Sequence, residues 1–422
     1  MSFLSPHDGG VRVEALDTGI GKVYTEVPSP TCGNPGRSDF AAGEFDTVFA
    51  CGDFHGDYAV FQACMLMTGC VRTTEDHGLR WIPSQTRKAI TMLGDLVDRQ
   101  RGGNVGGEFE NEEHLILRMA NKLTAEAERA GSAVFRLVGN HEIIQADVEY
   151  SNRGDYVTAL AQPGGLASRT ASFTHGQFNR EIRACSARAI VKIGPYVFVH
   201  GGINASVVDH ADAHGMNLLD GCNTTLREYL WSGLPPRYYA RATRFPYAHH
   251  FLPLLYNIGA SRGGVGPHGV LWDDELSRFD LDVETELPVK TMSQDEVEDV
   301  VAMLNDNLAA HESEGSDGFE PVTTIVVAHT AQLDAFHTTP TTFKKVADRR
   351  SCEDLVVAES EESDAQHGVN VKYEGRVWCI DIGQSRAFGP MENPSILIID
   401  MRDNTKMVRR WKTPVGNSSF IA

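Results

Sequence analysis

The sequence predicts a layered α/β fold built on mixed sheets. Short apolar strands alternate with amphipathic helices over the first half of the chain, and further strands gather toward the C-terminal end. Several strands stop at a short polar cluster of Asp, Asn or His. In an open α/β sheet that is where a site forms, at the carboxyl ends of the strands.

Each element has its own local reason. Met1–Glu44 is rich in Gly, Pro and Ser and reads as an N-terminal extension, with 28–37 as loop. Thr47–Cys51 is short, apolar and β-prone. In 57–68, Val60, Phe61, Cys64 and Met67 share a helical face and Gly69 stops the helix. Ala89–Leu93 is a second strand. In 110–130, Leu115, Met119 and Leu123 mark an amphipathic helix ended by Gly131. Ala133–Val138 is a third strand, and 190–199 reads as a strand pair broken at Gly194-Pro195 or as one long strand. The stretch 204–286 mixes aromatic residues with Pro and Gly and reads as a cap or insertion. In 293–311, Ser293 and Glu296 form a capping box ahead of a Val297, Val300, Val301, Leu304 and Leu308 stripe. Strands are expected at 323–328, 377–382 and 395–401. The stretch 338–375 carries the acidic run 359–364 and reads as a polar insertion. The predicted main domain is thus 45–401, followed by a tail over 402–422.

Composition excludes several classes. Of 422 residues, 41% are hydrophobic and 23% charged, which suits a globular chain rather than a disordered one. A net charge of −19 repels phosphate backbones and argues against nucleic acid as a partner. No apolar run approaches the ~20 residues of a membrane span. The first residues lack a basic stretch followed by an apolar one, so no secretory leader is expected. Eight cysteines without a C-x-x-C pair read as reduced, buried thiols, and the expected location is the cytoplasm.

Five strands run into polar clusters: Gly52-Asp53-Phe54-His55-Gly56-Asp57, Gly94-Asp95-Leu96-Val97-Asp98-Arg99, Gly139-Asn140-His141-Glu142, His200-Gly201-Gly202 and His329-Thr330. Carboxylate, imidazole and amide oxygen without thiolate suit Mn, Fe, Zn or Ni. The ligand groups are too many for one structural zinc and about right for two divalent ions sharing a carboxylate, a pair able to clamp a phosphoryl displacement. Any one cluster alone could be a capped turn or a core histidine; the ordered set of five is the signal.

That order resembles the calcineurin-like metallophosphoesterase superfamily and, within it, the phosphoprotein phosphatases with their GDxHG, GDxxDRG, GNHE and HGG motifs and late His. More narrowly it is similar to the Shewanella-like branch, through Trp81 before Gly94, 154–157 after GNHE, the Lys192-Ile193-Gly194 lead into the HGG motif, and 380–385. The resemblance covers roughly 47–389. It implies two mixed β-sheets in a central sandwich flanked by helices, a four-layer αββα arrangement. It implies one ion, manganese by expectation, on Asp53, His55 and Asp95, and a second on Asp95, Asn140, His200 and His329. It further implies His141 as the acid for the leaving oxygen, oriented by Asp98, with Arg99 and Asn140 on the phosphate and a metal-bridging hydroxide attacking phosphorus in line.

Some residues depart from the pattern. Gln100 replaces the glycine of DRG, and Val138 stands where Ser/Thr-specific members carry Arg. The Leu271-Trp272-Asp273-Asp274 segment has Asp where the branch often has a basic residue, and Arg180 and Arg183, in a segment that is basic in this branch, are the candidates for a second guanidinium. His249-His250 and Asp209-His210 have no third ligand at matched spacing and read as loop histidines. The expected partner is a phosphorylated protein or peptide, with phosphotyrosine preference found in this branch. A dinucleoside polyphosphate hydrolase and an inactive phosphoprotein-binding scaffold are the alternatives.

Overall fold

The computed structural model describes residues 13–17, 22–26, 37–75, 78–98, 112–146, 165–183, 187–256, 269–277, 292–312, 319–329, 344–349, 352–356, 369–381 and 394–411. Its centre is a pair of mixed sheets. In spatial order, the seven-stranded sheet runs Lys344–Arg349, Cys352–Val356, Thr405–Trp411, Ser395–Asp400, Thr47–Cys51, Lys88–Met92, Ala133–Arg136. The last three strands are parallel, and Ser395–Asp400 joins them antiparallel. The six-stranded sheet runs Asn370–Lys372, Val377–Cys379, Thr324–Val327, Tyr196–Val199, Ile190–Ile193, Asp39–Phe40.

Strand alternation explains the layers. Side chains two apart share a face. Val48, Ala50, Ala89 and Leu93 turn inward and pack with Val191, Tyr196, Phe198, Val326 and Trp378 of the other sheet. Phe49, Cys51, Ile90 and Met92 turn outward and share a cluster with Val60, Phe61, Ile116, Ala120 and Leu123 of the helices Tyr58–Met67 and Glu113–Arg129. On the six-stranded sheet, Val197, Val199, Ile325 and Val327 join that same cluster, which also holds Val207, Leu226 and Val301 of the helices Ala205–Ala213, Leu218–Ser232 and Gln294–Ala310. Each large side chain buried this way contributes about 1.5–3 kcal/mol. The four-layer αββα expectation is met.

The strand pair at 190–199 is two antiparallel strands, Ile190–Ile193 and Tyr196–Val199, turned at Gly194 with φ +56°. The Ser293–Glu296 capping box forms as expected. Cys51, Cys64, Cys70, Cys222 and Cys379 are buried free thiols. Among the described residues no helix is long and apolar enough to cross a membrane.

Three readings change. The sheet does not end at 401, because Thr405–Trp411 hairpins onto Ser395–Asp400. Part of the polar stretch 338–375 is a hairpin, Lys344–Arg349 with Cys352–Val356, which extends the same sheet through backbone pairing. The hard-to-read stretch after Asn204 is helical over much of 205–254. The acidic run 359–364 and the segments 154–157 and 382–385 lie outside the described residues.

Candidate active site

All five polar clusters arrive at one edge, and backbone hydrogen bonds lace them together. Phe54 and His55 donate their N–H groups to the Asp95 carbonyl at 3.1 and 2.8 Å, and Gly56 donates to the Leu96 carbonyl at 2.9 Å. The buried Glu142 carboxylate accepts from the N–H groups of Asp95, Leu96 and Gly139 at 3.0, 2.7 and 2.7 Å. Glu142 thereby ties the second cluster to the third. Burial, reinforced by Asp95, pushes its carboxyl up to about 7. Asp57 caps the helix that follows the first cluster, accepting from Val60 N–H at 3.3 Å.

The turns are tight and strained. His55, Asp95, Asp98 and His329 all have positive φ, at 43°, 49°, 72° and 64°. Non-glycine residues keep such backbone only where the surroundings over-determine it. A Cβ at Gly139 would lie 2.2 Å from Asp95 Oδ1 and 2.6 Å from Asp95 N, so only glycine fits between the clusters.

Asp95 sits at the middle. Together with His55 and His141 it forms one group whose donor atoms lie within 4.8 Å of each other; with His200 and His329 it forms a second. Its Oδ2 lies 3.8 Å from His55 Nε2 and 3.7 Å from His141 Nε2, and its Oδ1 lies 3.4 Å from His200 Nε2. Asp53 is fully buried, with Oδ2 3.7 Å from His55 Nε2 and Oδ1 3.8 Å from His200 Nδ1. Burial pushes Asp95 up, but His141, His200 and His55 together outweigh it and hold the carboxyl well below its ordinary value.

The donor set fits divalent ions on its own chemistry. Two atoms each ~2.1 Å from one ion sit about 3–4 Å apart, which is the spacing of these donor pairs. His200 Nδ1 lies 2.8 Å from the Leu93 carbonyl, so that nitrogen donates and Nε2 keeps its lone pair for the site. The Asn140 oxygen lies 2.9 Å from His200 Nε2 and 3.1 Å from His329 Nδ1. Turning the amide over points its NH2, with two hydrogens to give, toward His200 Nε2, His329 Nδ1 and the Asp95 oxygens, the arrangement suited to a metal-free site. A cation among these atoms is served by the oxygen instead. Asp53, His55, Asp95, Asn140, His200 and His329 could therefore hold two ions, with Asp95 common to both.

Beside these atoms stands a second device. His141 Nδ1 is 2.6 Å from Asp98 Oδ2, and Gln145 Nε2 donates to the same oxygen at 2.9 Å. Arg169, fully buried, donates through Nε to Gln145 Oε1 at 2.6 Å and through both terminal nitrogens to Glu113 at 2.8 and 2.9 Å. Glu113 Oε1 closes the ring by accepting from Asp98 N–H at 2.6 Å. Arg169 loses solvation on burial, yet Glu113 outweighs that loss and raises its pKa. Sequence reasoning missed Glu113, Gln145 and Arg169. They lie 24 to 56 positions from one another and carry no local motif.

The structure does not bring Arg180 and Arg183 into this cluster. Both lie on the helix Gln177–Arg183, where Arg180 is exposed and the Arg183 guanidinium lies 3.9 Å from the centre of the Trp231 ring. Arg99 lies outside the described residues. Asp273 is fully buried against Gly201, accepts from Asn204 Nδ2 at 3.0 Å, and is pushed up to about 7 by burial.

A family model for calcineurin-like phosphoesterases matches residues 47–283, more than half of the chain. The chain belongs to the calcineurin-like phosphoesterase family. It is similar to Shewanella-like protein phosphatase 2 of Arabidopsis thaliana, 34% identical over 107 residues, covering 25% of this chain and 23% of the relative. It is also similar to an uncharacterised protein of Schizosaccharomyces pombe, 31% identical over 110 residues, covering 26% of this chain and 29% of the relative. The matched segments thus span about a quarter of these curated relatives. Among solved structures, a cold-active protein tyrosine phosphatase superposes with a TM-score of 0.50 at 16% identity, covering 91% of this chain and 83% of the other. A point mutant of a cold-active protein tyrosine phosphatase gives 0.52 at 15% identity, covering 92% and 83%. At these identities the likeness concerns the fold.

Proposed function

We propose that this calcineurin-like phosphoesterase is a metal-dependent phosphomonoesterase acting on phosphorylated proteins. The observation that carries the reading is the placement of Asp95 between two groups of metal-type donors, with a buried His141–Asp98 pair beside it. Asp53, His55 and Asp95 would hold one ion; Asp95, Asn140, His200 and His329 would hold the other. When bound, such ions supply positive charge against phosphate oxygens and lower the pKa of water. Manganese suits the oxygen and nitrogen donors.

His141 donates a proton to the departing oxygen, which an alkoxide or phenoxide requires. Asp98 orients the imidazole through Nδ1. Arg99 holds the phosphate with a planar fork of donors, and Asn140 neighbours it. Arg169, Gln145 and Glu113 fix Asp98 from behind. The catalytic domain begins near 45, with 204–286 as the segment that shapes substrate access, and reduced buried thiols fit a cytoplasmic location.

The test is a rate panel on the full chain with added manganese, comparing a phosphotyrosine peptide, a phosphoserine/phosphothreonine peptide and diadenosine tetraphosphate, with Asp95→Asn as the blank. Peptide turnover that disappears in the variant supports the reading, and the faster peptide gives the residue preference. Turnover of the dinucleotide alone would make the protein a small-molecule hydrolase. Metal binding without turnover of any of the three would make it a scaffold.

A further inference from the structure

A second convergence of imidazoles lies on the helical layer, away from the strand-end cluster. His210 stands in the last turn of the helix Ala205–Ala213, and His214 is that helix's C-cap residue. The spacing of four places both side chains on one helical face. His250 arrives from elsewhere, at the end of the 3-10 turn Ala248–His250. The ring centres of His210 and His214 are 4.3 Å apart, and His250 lies 5.2 and 4.8 Å from them. One ring nitrogen from each residue falls in a group whose atoms lie within 4.8 Å of one another. The sequence alone offered no third ligand for His210 and His250; His214, one helical turn after His210, supplies it.

The chemistry of the three rings suits a cation. His214 Nδ1 lies 2.8 Å from the His210 carbonyl, so Nδ1 donates there and Nε2 keeps its lone pair. His210 Nε2 and His250 Nδ1 are 3.0 Å apart, a contact that two imidazolium rings could not share. Burial and the neighbouring His249, His210 and His214 push His250 down to about 4, and burial with His214 and His249 lowers His210. His210 and His250 are thus held toward the neutral form, the one that ligates metal. Exposure is graded, with His250 buried, His210 half-buried and His214 exposed, so the group opens to solvent on one side and leaves room for water as a further ligand. The net charge of −19 favours cation approach.

We propose that His210, His214 and His250 form a separate, solvent-facing site for one borderline divalent cation of the zinc, nickel, copper or cobalt class, joining the end of the helix Ala205–Ala213 to the turn that precedes Phe251–Leu254. Three imidazoles without a carboxylate discriminate against magnesium, calcium and manganese. The site therefore differs in ion choice from the oxygen-rich strand-end cluster, and its existence does not depend on the phosphatase reading.

Zinc is the probe. The Asp95→Asn chain, with the strand-end cluster disabled, is titrated with zinc by calorimetry, and the bound metal is counted after gel filtration. One zinc per chain is expected. Adding His214→Ala should weaken that binding at least ~10-fold, whereas adding His175→Ala, an exposed histidine elsewhere, should leave it unchanged. As a control independent of how Asp95→Asn folds, cobalt is also titrated into the manganese-loaded parent and its His214→Ala variant, following the visible absorption of low-coordinate cobalt. Loss of that band in the variant supports the site. Equal zinc affinity with and without His214→Ala, or an unchanged cobalt band, would overturn it.

Discussion

Replacing Arg169 with Met tests whether the acid pair is held from behind. Arg169 is 0% exposed and Glu113 2% exposed, and the two share a two-pronged ion pair at 2.8 and 2.9 Å. Met fills similar space but leaves the Glu113 carboxylate buried with only the Asp98 N–H as a described partner. Breaking a buried pair this way costs about 3–5 kcal/mol. Gln145 also loses the donor that fixes its amide, so Asp98 and His141 loosen. Urea unfolding at neutral pH should show the midpoint falling with the slope unchanged. Turnover of an alkyl phosphate should fall ~100-fold, since that leaving group needs the His141 proton, while p-nitrophenyl phosphate should change far less. Adding Glu113→Gln should recover part of the lost stability, because the stranded charge is gone. A loss under about 1 kcal/mol, or a double variant as unstable as the sum of the singles, would refute the reasoning.

Other consequences can be checked alongside. Asp95→Asn should remove both ions by elemental analysis, whereas His141→Ala should keep them and lose turnover of poor leaving groups; normal turnover in His141→Ala would end its acid role. Gly139→Ala should disrupt metal uptake, because its Cβ would meet Asp95 Oδ1 at 2.2 Å and the Asp95 backbone at 2.6 Å; a chain that still binds two ions would show that the loop can shift. Asp273 gives a pH signature. Burial raises its carboxyl to about 7, so between about pH 4 and 7 the folded chain holds a proton that the unfolded chain has released. Stability should fall as pH rises through that window, by no more than about 4 kcal/mol, and level off above it. Asp273→Asn should remove this component of the slope, and an unchanged pH profile would contradict it.

The sequence made the strand-end chemistry legible because each ligand follows an apolar strand whose period is plain. Thr47–Cys51 is recovered residue for residue, and Gly194-Pro195 marks the turn between antiparallel strands. The helix Leu218–Ser232 was not legible because its interior holds Gly221, Asn223, Thr224 and Thr225, poor helix formers. Tertiary contacts explain them. Asn223 clamps the strand edge by accepting from Ala189 N–H and donating to the Ile190 carbonyl, and a Cβ at Gly221 would crowd Met216. The pairing of Lys344–Arg349 with Cys352–Val356 escaped notice because the stretch is rich in charged residues in sequence and the pairing is made by backbone. Arg180 and Arg183 are visible in sequence as charge, but their direction is not, and the helix Gln177–Arg183 leaves them outside the described cluster. The buried guanidinium behind the acid pair is Arg169, which only the fold connects to Glu113 and Gln145.

The most direct test of the central claim is the initial rate of phosphate release from a phosphotyrosine peptide by metal-stripped full chain, before and after manganese addition. The account predicts negligible release without metal, restoration on adding about two ions per chain, and no restoration in Asp95→Asn. Release that is indifferent to metal, or restored equally in Asp95→Asn, would contradict it.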